Sequence, residues 1–376
     1  MSITIVVPKE IKEGEARVAM TPSLVTRLTK LGAKVQVQQG AGAGINANDA
    51  AYKDAEVISS AESLYKAGDI IIKVLPPTVE EVAKMKDGSI LVSYLYPHLN
   101  PKIVAKLLEK NITSFAMELV PRISRAQDMD VLSSQATISG YKAVLLAADN
   151  AKFFFPMLTT AAGSIRPAKV FIIGVGVAGL QAIATAKRLG AQVSAYDVRP
   201  ETKEQTESLG AKFLDTGVQA TGEGGYAREL TAEEKAKQAE VLKKHIAGCD
   251  VVITTAGVPG RPAPKILTKE MVDGMKSGAV IVDILAESGG NCELTKPGET
   301  IVYNNITIVG PINIPSSLAT NASEMFTRNI LNFLNLIIKD GNIALDWNDE
   351  IVAGSVVTHE RAIKNAAVKK LLEDKR

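Results

Sequence analysis

The chain has 376 residues, 46% of them hydrophobic, and a formal net charge of +2. That length suits two domains of ~100–200 residues each, and the near-neutral charge argues against nucleic acid or an anionic membrane surface as the main partner. The two cysteines, Cys249 and Cys292, and the three scattered histidines, His98, His245 and His359, give neither a disulfide framework nor a metal-ligand cluster.

The opening residues read as a strand over 3–7, not as a basic-then-apolar leader. Further strands are expected over 34–38, 70–74, 90–94 and 112–117. Helices are expected over 22–31, capped by Thr21, and 101–109, capped by Asn100, each with proline at its first position. This β-α alternation predicts a parallel, doubly wound sheet. Residues 118–139 have a different texture. They are polar and keep no clear strand or helix period. A helix over 141–151 then leads into a second α/β stretch, with strands over 170–173, 193–196, 251–254, 280–284 and 306–309. Residues 215–230, with Gly217, Gly222, Gly224 and Gly225, read as a mobile surface loop. A charged helix is expected over 231–245 and a long helix over 323–339. The final segment is too short for a domain and is expected to fold back onto the first. The expected division is 1–138 plus 325–376 for the N-terminal α/β domain and 139–324 for the second. No uncharged apolar run reaches the ~18 residues of a membrane span.

The most informative stretch is 170–197. A β-branched run is followed by Gly174, Gly176 and Gly179, then a helix ending at Gly190, then a strand that delivers Asp197. That order and the ~20-residue spacing to the acid match a dinucleotide-binding fingerprint. Gly174 permits the tight turn, Gly176 lets the backbone approach a pyrophosphate, and Gly179 lets the helix pack close to the strand. The helix N-terminus offers unpaired N–H groups and a partial positive charge. Asp197 suits a ribose 2′-hydroxyl and repels a 2′-phosphate, which favours NAD(H) over NADP(H). Arg199, two residues on, is a cation that a phosphate would meet.

Between the two expected sheets, residues 121–133 concentrate Arg122, Arg125, Gln127, Asp128, Asp130 and Ser133. A nicotinamide carboxamide needs a donor and an acceptor, and Gln, Asp and Ser supply both. Composition alone reads the same segment as a solvated linker. The run Met117-Glu-Leu-Val-Pro-Arg-Ile-Ser-Arg-Ala-Gln-Asp-Met-Asp-Val-Leu-Ser-Ser, however, closely resembles the signature loop of the NAD(H)-binding component of proton-translocating NAD(P) transhydrogenase. So do Phe155-Pro-Met, Ala161-Ala-Gly, the fingerprint itself, Lys203-Glu-Gln, Gly224-Gly-Tyr-Ala and Gly289-Gly-Asn-Cys. The resemblance runs from Pro8 to about Gly354.

The resemblance implies two Rossmann-like domains flanking a cofactor cleft. Arg122, Gln127, Asp130 and Ser133 match the family's nicotinamide-orienting loop, Asp197 its adenosine-ribose ligand, and Tyr226 the tyrosine of its mobile loop. Asp128, Met129, Val177, Ala178, Val198, Arg199, Gly225, Ala256 and Gly257 complete the expected cofactor contacts. The implied reaction passes hydride directly between NADH and NADP+ held on a partner component, coupled to proton translocation by a separate membrane-spanning chain. The implied state is a homodimer attached through its partners to the cytoplasmic face of the inner membrane. One departure stands at Gly257, where the resemblance leads us to expect a leucine.

Two alternatives compete. A related alanine dehydrogenase would use Lys9, Arg17 and Lys73 on its substrate. Here Tyr96 stands in place of that enzyme's catalytic histidine and Glu287 in place of its aspartate. Oxidative deamination needs an acid/base group near neutral pH, which tyrosine, with a reference pKa near ~10, supplies poorly. A shifted alignment would bring in His98. A non-catalytic NAD(H) sensor would use the same fold without passing hydride.

Overall fold

In the computed structural model, residues 2–222, 228–258 and 260–373 are described. The chain forms two compact units, Met1–Gln135 with Pro315–Arg376, and Ala136–Ile314.

The first unit is built on an eight-stranded sheet. Its spatial order is Ala362–Ile363, Val356–His359, Thr113–Ala116, Ile90–Ser93, Ile70–Ile72, Thr4–Val7, Lys34–Gln38 and Glu56–Ile58. The last six are parallel, as βα alternation dictates. Val356–His359 adds antiparallel to Thr113–Ala116 and turns back into Ala362–Ile363. These edge strands come from the C-terminal segment. The strand order reverses between Thr4–Val7 and Ile70–Ile72, which makes that the topological switch point of the sheet. The central strands are near-continuous Ile and Val, buried on both faces.

Two helix starts differ from expectation. Neither Thr21 nor Asn100 caps its helix through its side chain. The Asn100 amide instead donates to the Leu95 and Tyr96 carbonyls, closing the turn that follows the strand Ile90–Ser93. Proline at the first position already satisfies one of the unpaired N–H positions. The region 118–139 also differs. It contains a 3₁₀ turn, Ser124–Met129, and a helix that starts at Val131, ten residues before the expected start, and runs to Asn150. Ser133, Ser134, Thr137, Ser139 and Gly140 hide the helical period, because small polar residues give little amphipathic signal.

The second unit carries a seven-stranded sheet in the order Lys212–Phe213, Gln192–Tyr196, Lys169–Ile173, Val251–Thr254, Val280–Asp283, Ile306–Val309 and Thr300–Tyr303. All pairs are parallel except the last, an antiparallel edge. The order reverses between Lys169–Ile173 and Val251–Thr254. Ala232–Ile246 forms the charged helix, with a full capping box between Thr231 and Glu234. A hairpin, Leu158–Thr160 with Gly163–Ile165, stands outside the main sheet.

Candidate functional site

The glycine turn sits at the switch point of the second unit. Gly174 has φ +93°, a left-handed conformation that side chains resist. A Cβ there would lie 2.7 Å from the Ala256 nitrogen. The Thr255 hydroxyl donates to the Gly174 carbonyl at 2.7 Å, tying the ends of the two diverging strands together. Gly179, in the helix Val177–Arg188, packs so closely that a Cβ would meet the Gly174 oxygen at 1.9 Å. Gly176 is different. Its backbone is extended, with φ −83° and ψ −166°, and a Cβ would meet nothing within 4 Å. Fold geometry explains Gly174 and Gly179. It leaves Gly176 unexplained unless something else approaches its open face. Val177 is exposed and Ala178 half-buried in the first helical turn, where the N–H groups lack helical acceptors.

Asp197 follows the strand Gln192–Tyr196. One carboxylate oxygen accepts from the Val175 N–H at 2.7 Å, so the acid also braces the glycine turn. Arg199 grips the same carboxylate, its Nε donating to Oδ1 at 2.9 Å and its Nη2 to Oδ2 at 2.8 Å. This two-pronged pair ties Arg199 to the acid and offsets part of the acid's charge. Val198 packs into the core beneath.

Ala256 and Gly257 follow the strand Val251–Thr254. The sequence shows Asn291 only as one residue of a motif, but it controls this loop. Fully buried, it accepts from the Ala256 N–H at 3.1 Å and donates to the Ala256 and Pro264 carbonyls at 2.7 and 2.9 Å. Gly140 carries no signal in the sequence either. A Cβ there would collide with the Ala178 carbonyl at 2.1 Å, so a glycine is required beside the fingerprint helix.

The polar segment belongs to the first unit. Pro121, Arg122, Ile123, Ser124, Ala126, Gln127, Asp130 and Ser133 line a concavity of about 450 Å³. That volume suits a small aromatic ring with its carboxamide. Gln127 and Arg122 are exposed. Asp130 accepts from both the N–H and the hydroxyl of Ser133, at 2.9 and 2.6 Å. The Ser133 proton is therefore directed at Asp130, and Gln127 offers both a donor and an acceptor. Met129 is buried among the core side chains. Asp128 is exposed, but its carbonyl accepts from Asn329 and Asn332 at 2.7 and 3.1 Å. Those two amides lie on the helix Ala319–Ile337 and anchor the turn that carries Gln127. Nothing in the local sequence foretells them. Gly225 and Tyr226 lie outside the described residues.

The switch point of the first sheet is filled from within. Lys73, 1% exposed, donates to Glu81 at 3.0 Å and pairs with Glu10 at 3.2 Å. Tyr65 also donates to Glu81, at 2.6 Å. Burial alone would lower the Lys73 pKa, but the two carboxylates more than offset it and hold the ammonium charged. Arg17 is likewise buried and gripped by Glu15, at 2.8 and 2.6 Å, and donates to Gln135 at 3.0 Å. Among the described residues, no cluster of His, Cys, Asp and Glu could hold a metal, and no helix is long and apolar enough to cross a membrane.

Comparison with known proteins decides the family. Residues 6–139 and 143–366 match the N-terminal and C-terminal domains of the family described as alanine dehydrogenase/PNT. The chain belongs to this family. It is 47% identical to the first of the separate chains that make up the NAD(P) transhydrogenase alpha subunit of Rhodospirillum rubrum, over 97% of this chain and 98% of that protein. A solved transhydrogenase from Sinorhizobium meliloti superposes with a TM-score of 0.86 at 40% identity, covering 97% and 99% of the two chains. A solved L-alanine dehydrogenase superposes almost as well, at 0.83 over the full length of both chains, but at 25% identity. Fold alone does not separate the two branches. Identity puts this chain with the transhydrogenase alpha subunits.

Proposed function

We propose that the chain binds NAD(H) and passes hydride directly to or from NADP(H) held on a separate component. The observation that carries this reading is the open face of Gly176 at the switch point, flanked by Asp197. In open α/β sheets, ligands sit outside the carboxyl ends of the strands at that point. Val177, Ala178 and Gly179 direct backbone N–H groups to a pyrophosphate, and Asp197 accepts from a ribose hydroxyl. Arg122, Gln127, Asp130 and Ser133 hold the nicotinamide, with Gln127 bonding the carboxamide. The bound cofactor supplies a C4 hydride that moves as a pair of electrons with its nucleus to C4 of the acceptor nicotinamide. The balance needs no proton, metal or covalent intermediate from this chain. Its residues contribute position, since the rings must approach to ~3–3.5 Å.

The names of the relatives support assembly with NADP(H)-binding and membrane-spanning partners, at the cytoplasmic face of the membrane, with proton translocation in the membrane chain. A homodimer fits one apolar surface. Phe154 and Met157 are 54% and 65% exposed, and Ile165 ends the exposed hairpin Leu158–Ile165 beside them. Exposed apolar side chains grouped in this way mark interaction sites.

Alanine dehydrogenase is disfavoured by the saturated cations. A substrate carboxylate would have to displace Glu15 from Arg17, and a carbonyl would have to displace Glu10 or Glu81 from Lys73. The test is a fluorescence titration with NADH and NADPH, followed by an alanine oxidation assay. NADH binding clearly tighter than NADPH, with no oxidation of alanine, is the expected result. Equal binding of the two nucleotides, or alanine-dependent NADH formation, would overturn the proposal.

A further inference from the structure

The departure at Gly257 has a counterpart elsewhere in the same unit. A Cβ built on Gly257 would lie 2.3 Å from Cδ1 and 3.4 Å from Cγ of Leu285. The volume that a side chain at 257 would occupy is thus filled by a leucine from the next strand. Leu285 follows the strand Val280–Asp283 at its carboxyl end. It is half-buried, so part of its apolar surface faces outward. Its main chain is fixed on both sides. Its N–H donates to the Asp283 carboxylate at 3.2 Å, and its carbonyl accepts from Ser288 and Gly290 at 2.8 and 2.9 Å. Asp283 in turn accepts from the Cys292 N–H at 2.9 Å and from the Thr295 hydroxyl at 2.8 Å.

Sheet order says what this leucine faces. Along the carboxyl edge, the strand bearing Asp197 comes first, then the strand bearing the glycine turn, then the strand ending at Thr254, then the strand ending at Asp283. Adjacent strands lie ~4.8 Å apart. On the NAD(H) reading above, which this inference presupposes, the adenosine ribose lies at Asp197 and the pyrophosphate at the glycine turn. The nicotinamide half then continues across the next two strand ends, where Gly257 and Leu285 stand.

We propose that Leu285 is the apolar contact for the nicotinamide-ribose half of the cofactor. It crosses over from its own strand to replace the side chain that Gly257 lacks. Gly257 is required here because Leu285 occupies its Cβ space. The two positions act as one unit, one large and one small.

The experiment compares two ligands by titration: NADH, and ADP, which lacks the nicotinamide half. Leu285→Ala weakens NADH roughly tenfold, the worth of a partly buried aliphatic contact, and leaves ADP within twofold. Gly257→Leu alone weakens NADH, because two leucines compete for one space. The pair Gly257→Leu with Leu285→Ala returns NADH to within threefold of the parent. Equal losses for ADP and NADH in Leu285→Ala, no loss of NADH, or additive losses in the double variant would each overturn the inference. Failure of the parent chain to bind NADH at all would instead overturn the NAD(H) reading. Melting temperatures of the three variants show whether a loss of binding reflects unfolding.

Discussion

Gly176→Ala separates binding from folding more cleanly than any other substitution here. The backbone at Gly176 is extended and a Cβ would touch nothing within 4 Å, so the fold has no steric objection to alanine. Alanine caps a helix less well than glycine, at a cost of some tenths of a kcal/mol. It also reduces the freedom of the unfolded chain, a gain of ~0.4–1 kcal/mol. The two nearly cancel, and the melting temperature should move by less than about 2 °C. The methyl group would, however, project from the backbone that a pyrophosphate must approach. Crowding of this kind costs ~1–3 kcal/mol, or roughly a ten- to hundredfold loss of NADH affinity. Gly179→Ala is the control. Its Cβ would lie 1.9 Å from the Gly174 oxygen. That strain outweighs the ~1 kcal/mol gained from better helix propensity, so the melting temperature should fall by several degrees. Calorimetry and NADH titration on both variants decide the matter. If Gly176→Ala binds NADH like the parent, the turn does not hold a pyrophosphate and the site must be sought elsewhere.

Three further outcomes are expected. Gln127→Ala should slow single-turnover hydride transfer by more than tenfold while NADH affinity stays within a few-fold, because a positioning group acts on rate; collapse of affinity with an intact rate would make the loop a binding clamp. Asp197→Asn should narrow the preference for NADH over NADPH, and Arg199→Ala should widen it, since Arg199 offsets the acid's charge; titrations in low salt read both, and an unchanged ratio in either variant removes that residue from cofactor selection. Burial pushes the Glu118 carboxyl from an ordinary 4.5 up to about 7, against backbone hydrogen bonds from Leu95 and Tyr96 that act the other way. The folded state therefore holds the proton more tightly than the unfolded chain. Its contribution is complete below about 4.5 and is lost as pH rises through about 7, by up to roughly 3 kcal/mol; Glu118→Gln should flatten the decline in stability over that range, and an unchanged pH profile would rule Glu118 out as its source.

The parts of this molecule legible in its sequence are those whose signals are local. The fingerprint from Val170 to Asp197 combines a strand period, glycine spacing and an acid within 28 residues, and the sheet forms where those signals predict. The parallel strands of both sheets read clearly because doubly buried strands are continuous runs of Ile and Val. The antiparallel edges, Val356–His359 and Thr300–Tyr303, are not legible in this way. Their partners are set by tertiary packing, and one pairs with a strand some 240 residues earlier in the chain. The helix from Val131 shows its period late because its first turns are rich in serine and threonine. Asn291, Asn329 and Asn332 are invisible as anchors because each acts on a backbone group distant in sequence. Gly257 shows the same limit from the other side. Read alone it is a missing side chain, and only the approach of Leu285 explains it. The Asp197–Arg199 pair lies between the two, since the spacing is evident in the sequence but its geometry is not.

The central claim is that hydride passes directly from the nicotinamide held by this chain to one held by another. It is tested by mixing the chain with a purified NADP(H)-binding component, NADP+ and NADH carrying deuterium at the transferred C4 position, then locating the label by mass spectrometry. Direct transfer puts the deuterium on NADPH with none lost to water, and Gln127→Ala slows its appearance. Label released to solvent, or no NADPH formed although NADH binds, would contradict the account.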